Sequence, residues 1–114
     1  KLARLHPAGY LFEQAGALLF IVLDPEQSPH YLIDGGSLIA YIALAASIKG
    51  YSILIVNLDD SHVYKTELGI PASKHLLGLI AIGREKIEES ILVPRKPLNY
   101  IVHINRYGSR MRGL

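Results

Sequence analysis

The first clear pattern along the chain is an unbroken apolar run, Ala17-Leu18-Leu19-Phe20-Ile21-Val22-Leu23, closed by Asp24-Pro25. Such a run, with no polar interruption, is the pattern of a strand covered on both faces. Pro25 to Pro29 reads as a loop. The next apolar stretch has a different period. Asp34 can cap a helix that runs through Leu38, Ile39, Tyr41, Ile42, Leu44, Ala45, Ala46 and Ile48 to about Lys49, where Gly50 stops it. Its apolar positions occupy nearly the whole circumference, so the helix must be covered on most sides. A chain of 114 residues has too little material to surround it. Part of the helix is therefore expected to pack against another chain.

Tyr51 to Val56 is rich in β-branched residues and predicts a second strand. Asn57 to Asp60 reads as a turn, and Asp60 or Ser61 opens a short helix that ends at Leu68, with Gly69 as its stop and Pro71 just beyond. Asp59 and Asp60 read as helix caps rather than as a carboxylate pair for acid–base chemistry. Leu76 to Ile82 predicts a third buried strand closed by Gly83, and Arg84 to Glu89 a charged, exposed stretch. Pro94 to Pro97 is a rigid basic linker. Pro97 suits the first turn of a final helix through Leu98, Ile101, Val102 and Ile104. Before the first strand, Lys1 to Gln14 mixes Pro7, Gly9, Tyr10 and Phe12 and reads as a loop or short helix. Strands alternating with helices argue for α/β or α+β layering in one domain spanning residues 1–114.

Composition sharpens this only in places. Half of the residues are hydrophobic and 19% are charged, as in a chain that buries a core. A net charge of +2 is too weak to argue for nucleic acid across the whole molecule. Arg95, Lys96, Arg106, Arg110 and Arg112 nevertheless concentrate basic charge near the C-terminus. The absence of cysteine excludes disulfides, thiolate metal sites and cysteine nucleophiles, and fits a cytoplasmic protein. Ala17–Leu23 and Leu38–Ile48 both fall short of the roughly 18 to 20 residues needed to cross a bilayer, and no secretory signal is visible, so no membrane is expected. The chain starts at Lys1 without a methionine, which leads to the expectation of further sequence ahead of it.

His6, His30, His62, His75 and His103 do not share the spacing of metal ligands, and no metal is assigned. Gly35-Gly36 is not a phosphate loop and reads as a place where helices approach closely. Tyr10, Phe12, Tyr31, Tyr41, Tyr51, Tyr64, Tyr100 and Tyr107 read mainly as core or interface rings.

Five segments, in order, resemble the nitroreductase family. Gly35 through Gly50, with Leu44-Ala45-Ala46, is similar to its long central helix. Tyr51 to Asn57 resembles the strand and flavin-facing turn that follow. Leu68-Gly69-Ile70-Pro71 and Leu79-Ile80-Ala81-Ile82-Gly83 resemble the family's next loop and strand. Arg95-Lys96-Pro97-Leu98 with Val102-His103 resembles its C-terminal motif. The resemblance implies a three-layer α-β-α fold, incomplete, with a central buried helix against a mixed sheet. The chain corresponds to its C-terminal half to two-thirds. It also implies FMN as cofactor, NAD(P)H as reductant, a nitro compound, quinone or similar small-molecule electron acceptor, and a homodimer with the flavin at its interface. By the same resemblance, the backbone N–H groups of Val56 and Asn57 face the flavin ring, Pro71 belongs to a wall near it, and Arg95 and Lys96 meet the FMN phosphate. A guanidinium beside a helix N-terminus suits a phosphate. His103 is implied to be a structural hydrogen-bonder on the last helix.

The sequence also departs from the family. Its N-terminal Arg-Arg-Ser-x-Arg pattern and later Asn-x-Gln are absent from these residues. Ile55 stands near a tryptophan position and Asn57 near a glycine position. Besides the FMN-dependent oxidoreductase, a dimerising or binding protein that kept the fold without flavin therefore stays open. So does an unrelated α/β domain that binds nucleic acid through its basic C-terminus, with steep salt dependence.

Overall fold

The computed structural model describes residues 2–5, 9–84 and 93–111. After a 3-10 turn at Leu2–Leu5, the elements are α1 (Gly9–Gln14), β1 (Ala17–Leu23), α2 (Tyr31–Ile48), β2 (Ser52–Asn57), α3 (His62–Leu68), β3 (His75–Gly83) and α4 (Leu98–Ile101). The strands form one sheet in the order β1-β3-β2. β3 runs antiparallel to both neighbours, from Ala17↔Ile82 to Leu23↔His75 on one side and from Ser52↔Gly83 to Asn57↔Gly78 on the other.

The strand lengths follow the apolar runs almost residue for residue, and the middle run becomes the middle strand. Leu76, Leu79 and Ile80 are 0% exposed. Successive strand residues point to opposite faces, so burial of both Leu79 and Ile80 means both faces of β3 are covered. On one face Leu79 joins Phe12, Val56, Leu58, Tyr64 and Leu76, with Leu18, Phe20, Leu54 and Ile70 packed around them. On the other lies α2. A Cβ at Gly35 would stand 2.7 Å from side-chain carbons of Leu23 and Leu77, so the missing side chain lets the helix sit down on the sheet. The glycine serves helix–strand approach, not the helix–helix approach expected from Gly35-Gly36. Gly36 faces open space.

The α+β class and the layering stand, and three expectations within them change. Among the described residues the sheet is antiparallel rather than mixed, because β3 is interposed between β1 and β2, which run the same way but never pair. β1 is not covered on both faces: only Ile21 is buried, while Leu19 and Val22 are exposed. An edge strand outlasts the layers that cover it. Finally, α2 is not a buried helix in this chain. Gly35 and Ala46 are its buried residues, whereas Tyr41 is 72%, Leu44 62% and Ile48 86% exposed. The expectation that the chain cannot surround this helix holds.

The helix is also longer than its apolar centre suggested. It begins at Tyr31, with Asp34 inside its first turn and no side chain capping it at His30. At 18 residues it is long and apolar enough, by length and composition, to cross a membrane. Its connections place it elsewhere. Residues 24–30 and 49–51 tie its ends to β1 and β2, and both strands pair with β3. A helix about 27 Å long that spanned a bilayer would put those strands on opposite sides. Here it lies along the sheet.

The chain exposes 9086 Å², where a self-sufficient globular monomer of this mass exposes about 6,200 Å². Its radius of gyration is 17.5 Å, against about 13 Å for a compact domain of this length. The C-terminal segment contributes to this spread. Residues 93–97 are exposed and irregular, and α4 is a single turn, shorter than the expected helix. Val102 is already extended, and His103 pairs with Arg110 across a tight loop closed by an Ile104 N–H bond to the Ser109 carbonyl at 2.8 Å. His103 is thus off the helix, its ring edge-on to Tyr107 at 4.6 Å. The segment folds on itself, with the Arg110 guanidinium 4.9 Å from the Tyr100 ring centre. Leu98, Tyr100, Ile101, Ile104 and Tyr107 remain exposed. Within the charged stretch expected at Arg84 to Glu89, Arg84 is exposed and the rest lies outside the described residues, as does Arg112.

Candidate functional site

β2 ends at Asn57, and the chain must reverse to enter α3. Asp59 and Asp60 both take the left-handed conformation, with φ of 49° and 54°. For non-glycine residues this is uncommon, and aspartate and asparagine tolerate it best. The side chains explain how it is held. Asn57 Oδ1 accepts the Asp59 N–H at 3.0 Å, and Asn57 Nδ2 donates to Asp59 Oδ1 at 2.7 Å. Asp60 Oδ1 accepts the Leu76 N–H at 2.8 Å, and the Asp60 N–H bonds to the Leu76 carbonyl at 3.1 Å. The carboxylates therefore close the turn instead of capping α3, whose N-cap is Ser61.

Asp60 also meets Lys65, a buried cation. Lys65 Nζ lies 3.0 and 3.3 Å from the two Asp60 carboxylate oxygens and 3.1 Å from the Ala72 carbonyl oxygen. The Leu76 N–H bond holds the Asp60 carboxyl below the usual carboxylate range. Partial burial opposes this, and Lys65 and then His75 reinforce it. His75 Nδ1 stands 3.9 Å from Asp60 Oδ2, and its ring meets Tyr31 of α2 edge-on at 5.5 Å. Lys74 bonds Asp24, tying the start of β3 to the end of β1 and holding that carboxyl below its ordinary value.

Because β2 and β3 are antiparallel, the end of β2 and the approach to β3 share one end of the sheet. Val56, Asn57 and Pro71 thus come to the same end. Val56 is in the core and Asn57 and Pro71 are exposed. The Leu58 N–H bonds to the Leu77 carbonyl across the ladder. By the alternation of an antiparallel pair, the Val56 N–H points into the sheet as well, and the Asn57 N–H points to the open edge. Only one of the two amides expected to face a ligand is directed outward.

Arg95 and Lys96 lie on the exposed segment before α4, and neither makes a hydrogen bond or ion pair with the described residues. The helix N-terminus expected to assist them belongs to α4, a single turn of four residues with Pro97 at its N-cap. Neither residue is hydrogen-bonded to the Asn57 turn. A cleft of about 760 Å³ opens at the opposite end of the sheet, between α1 and the Ser52 and Gly83 ends of β2 and β3, with Arg84 at its margin. It is separate from the turn and holds none of the expected residues.

Sequence reasoning missed Lys65, Asp60 as an anchor, and Gly78. A Cβ at Gly78 would stand 2.7 Å from the Val56 carbonyl oxygen, so β3 closes on β2 here only through a glycine. The signal for Lys65 was weak but present: a lone cation between Tyr64 and Leu68, near a loop with Asp60.

No protein-family model matches the chain, and no curated protein matches it. Among solved structures it is similar to an FMN-dependent nitroreductase from Clostridium difficile R20291, with a TM-score of 0.74 and 19% sequence identity. The match covers 87% of this chain and 62% of that one, so the chain spans less than two thirds of that protein's length. The likeness shows a nitroreductase-like fold.

Proposed function

We propose that the chain is the FMN-holding portion of an NAD(P)H oxidoreductase of the nitroreductase type, acting as a homodimer. The observation that carries this reading is the pairing of that fold with a turn whose exposed edge presents the Asn57 N–H. FMN, when bound, would supply the electron chemistry between a nicotinamide and a nitro, quinone or similar acceptor. The chain's own part is positional. The Asn57 N–H offers a donor to a ring atom that gains electron density. Pro71 limits the loop beside it. Arg95 and Lys96, exposed and unpaired among the described residues, offer cationic charge to the phosphate once a second copy brings a C-terminal segment to the site. The bare outer face of α2 supports that second copy.

A specific observation favours the second reading, a dimerising protein without flavin. The Asp59 N–H, which a ligand in the turn would want, is consumed by the Asn57 side chain. The test is gel filtration of the full chain after incubation with FMN. The first reading expects yellow flavin to co-elute with protein at twice the chain mass. Colourless protein at the dimer mass would instead establish the second.

A further inference from the structure

Burying a lysine is costly unless its charge is answered, and Lys65 is 6% exposed. Its ammonium has three protons. The contacts are two carboxylate oxygens of Asp60 and the Ala72 carbonyl, at 3.0, 3.3 and 3.1 Å. The two anchors belong to different segments. Asp60 closes the turn that follows Asn57, and Ala72 follows Pro71 in the loop before β3. The Lys65 backbone serves the same pair, its carbonyl accepting the Ile70 N–H at 2.9 Å and its N–H bonding to the Ser61 carbonyl at 3.0 Å.

An apolar residue of similar size often stabilises such a position as well as a buried ion pair does. What an ion pair adds is direction: it fixes one arrangement of the groups it joins. The turn needs fixing, because two consecutive aspartates sit in the left-handed region. We infer that Lys65 is a positioning residue, an internal strut that locks the Asn57–Asp60 turn to the Pro71–Ala72 loop and so holds the outward Asn57 N–H in fixed relation to Pro71. The role at the ligand rests on the proposed flavin reading. The strut itself does not.

Two measurements on the full chain separate them. Lys65→Met removes the ammonium and keeps the apolar stem. Amide hydrogen exchange at Asp60, Ile70 and Leu76 is expected to quicken by about tenfold or more, the loss of roughly one charge-assisted bond. Leu79 and Ile80 should keep their protection. Uniform acceleration that includes Leu79, or no acceleration at all, overturns the strut. If Lys65→Met does not fold, Asp60→Asn serves instead. It keeps the acceptor for the Leu76 N–H but weakens the Lys65 contact, and should speed exchange at Ile70 with Leu79 unchanged. The second measurement is FMN titration followed by visible absorption. Lys65→Met should weaken binding by about tenfold and move the bound flavin's band, whereas Lys65→Arg should partly restore both. Altered exchange with unaltered affinity and spectrum overturns the positioning role. Wild-type protein that takes up no FMN removes the flavin reading and leaves the exchange result to judge the strut.

Discussion

The space between the sheet and α1 and α3, and the outside of α2 with the C-terminal segment, are built from the same residue types. Leucine, isoleucine and tyrosine fill both. In the first region Leu76 and Leu79 are 0% exposed and Tyr64 spans the layer, its hydroxyl donating to the Leu2 carbonyl at 3.2 Å. In the second, Tyr41, Leu44, Ile48, Ile101 and Tyr107 stand in solvent. The difference teaches that apolar character says a residue is to be covered, and not what covers it. One region is completed by the chain itself. The other leaves its large apolar side chains uncovered by this chain.

That contrast can be broken by substitution. The largest effect is expected at Leu79→Ala, which removes a wholly buried side chain with little room for collapse. It should cost about 2–5 kcal/mol in urea unfolding, and a cost near that of a surface change would mean the inner region is not the core. Gly78→Ala comes next. Its new methyl meets the Val56 carbonyl, a backbone atom that cannot swing aside, so about 1–3 kcal/mol is expected in the same measurement. A null result would show that β2 can slide away from β3.

For the outer region, Tyr41→Ser combined with Leu44→Ser should leave monomer stability within about 0.5 kcal/mol. The same change should weaken self-association by about tenfold or more in sedimentation equilibrium. Unchanged association would move the interface off α2.

The smallest effect is acid sensitivity at the turn. Asp60 and Asp24 have carboxyls held below their ordinary value when folded. Their stabilisation is therefore fully present above the unfolded carboxylate value of about 3.9, and is lost as pH falls through the lower, folded one. Wild-type stability should decline below about pH 4, and Asp60→Asn should flatten that decline while lowering stability at neutral pH. An acid limb of equal steepness in the variant would show that other carboxylates govern it.

Much of the fold was legible in the sequence because local chemistry set it. Asp24-Pro25 ends β1, Gly69 takes φ of 67° to stop α3, and the run from Leu76 to Ile82 lies within β3. The family resemblance likewise pointed to a fold that the structural likeness bears out. The site was less legible. Val56, Asn57 and Pro71 were singled out and do share one end of the sheet, yet what holds that end together, Lys65 between Asp60 and Ala72, joins side chains and backbone that no periodicity relates.

Sequence alone determined where the three strands lie and where α3 stops, and that the chain carries more apolar surface than it can hide. Tertiary structure decided that β3 lies between β1 and β2, that only one side of α2 is covered, and that Lys65 joins Asp60 to Ala72. The reason is physical. Hydrophobic burial has no direction and is satisfied by any cover, whereas strand order, backbone hydrogen-bond direction and the reach of one lysine depend on where distant segments meet.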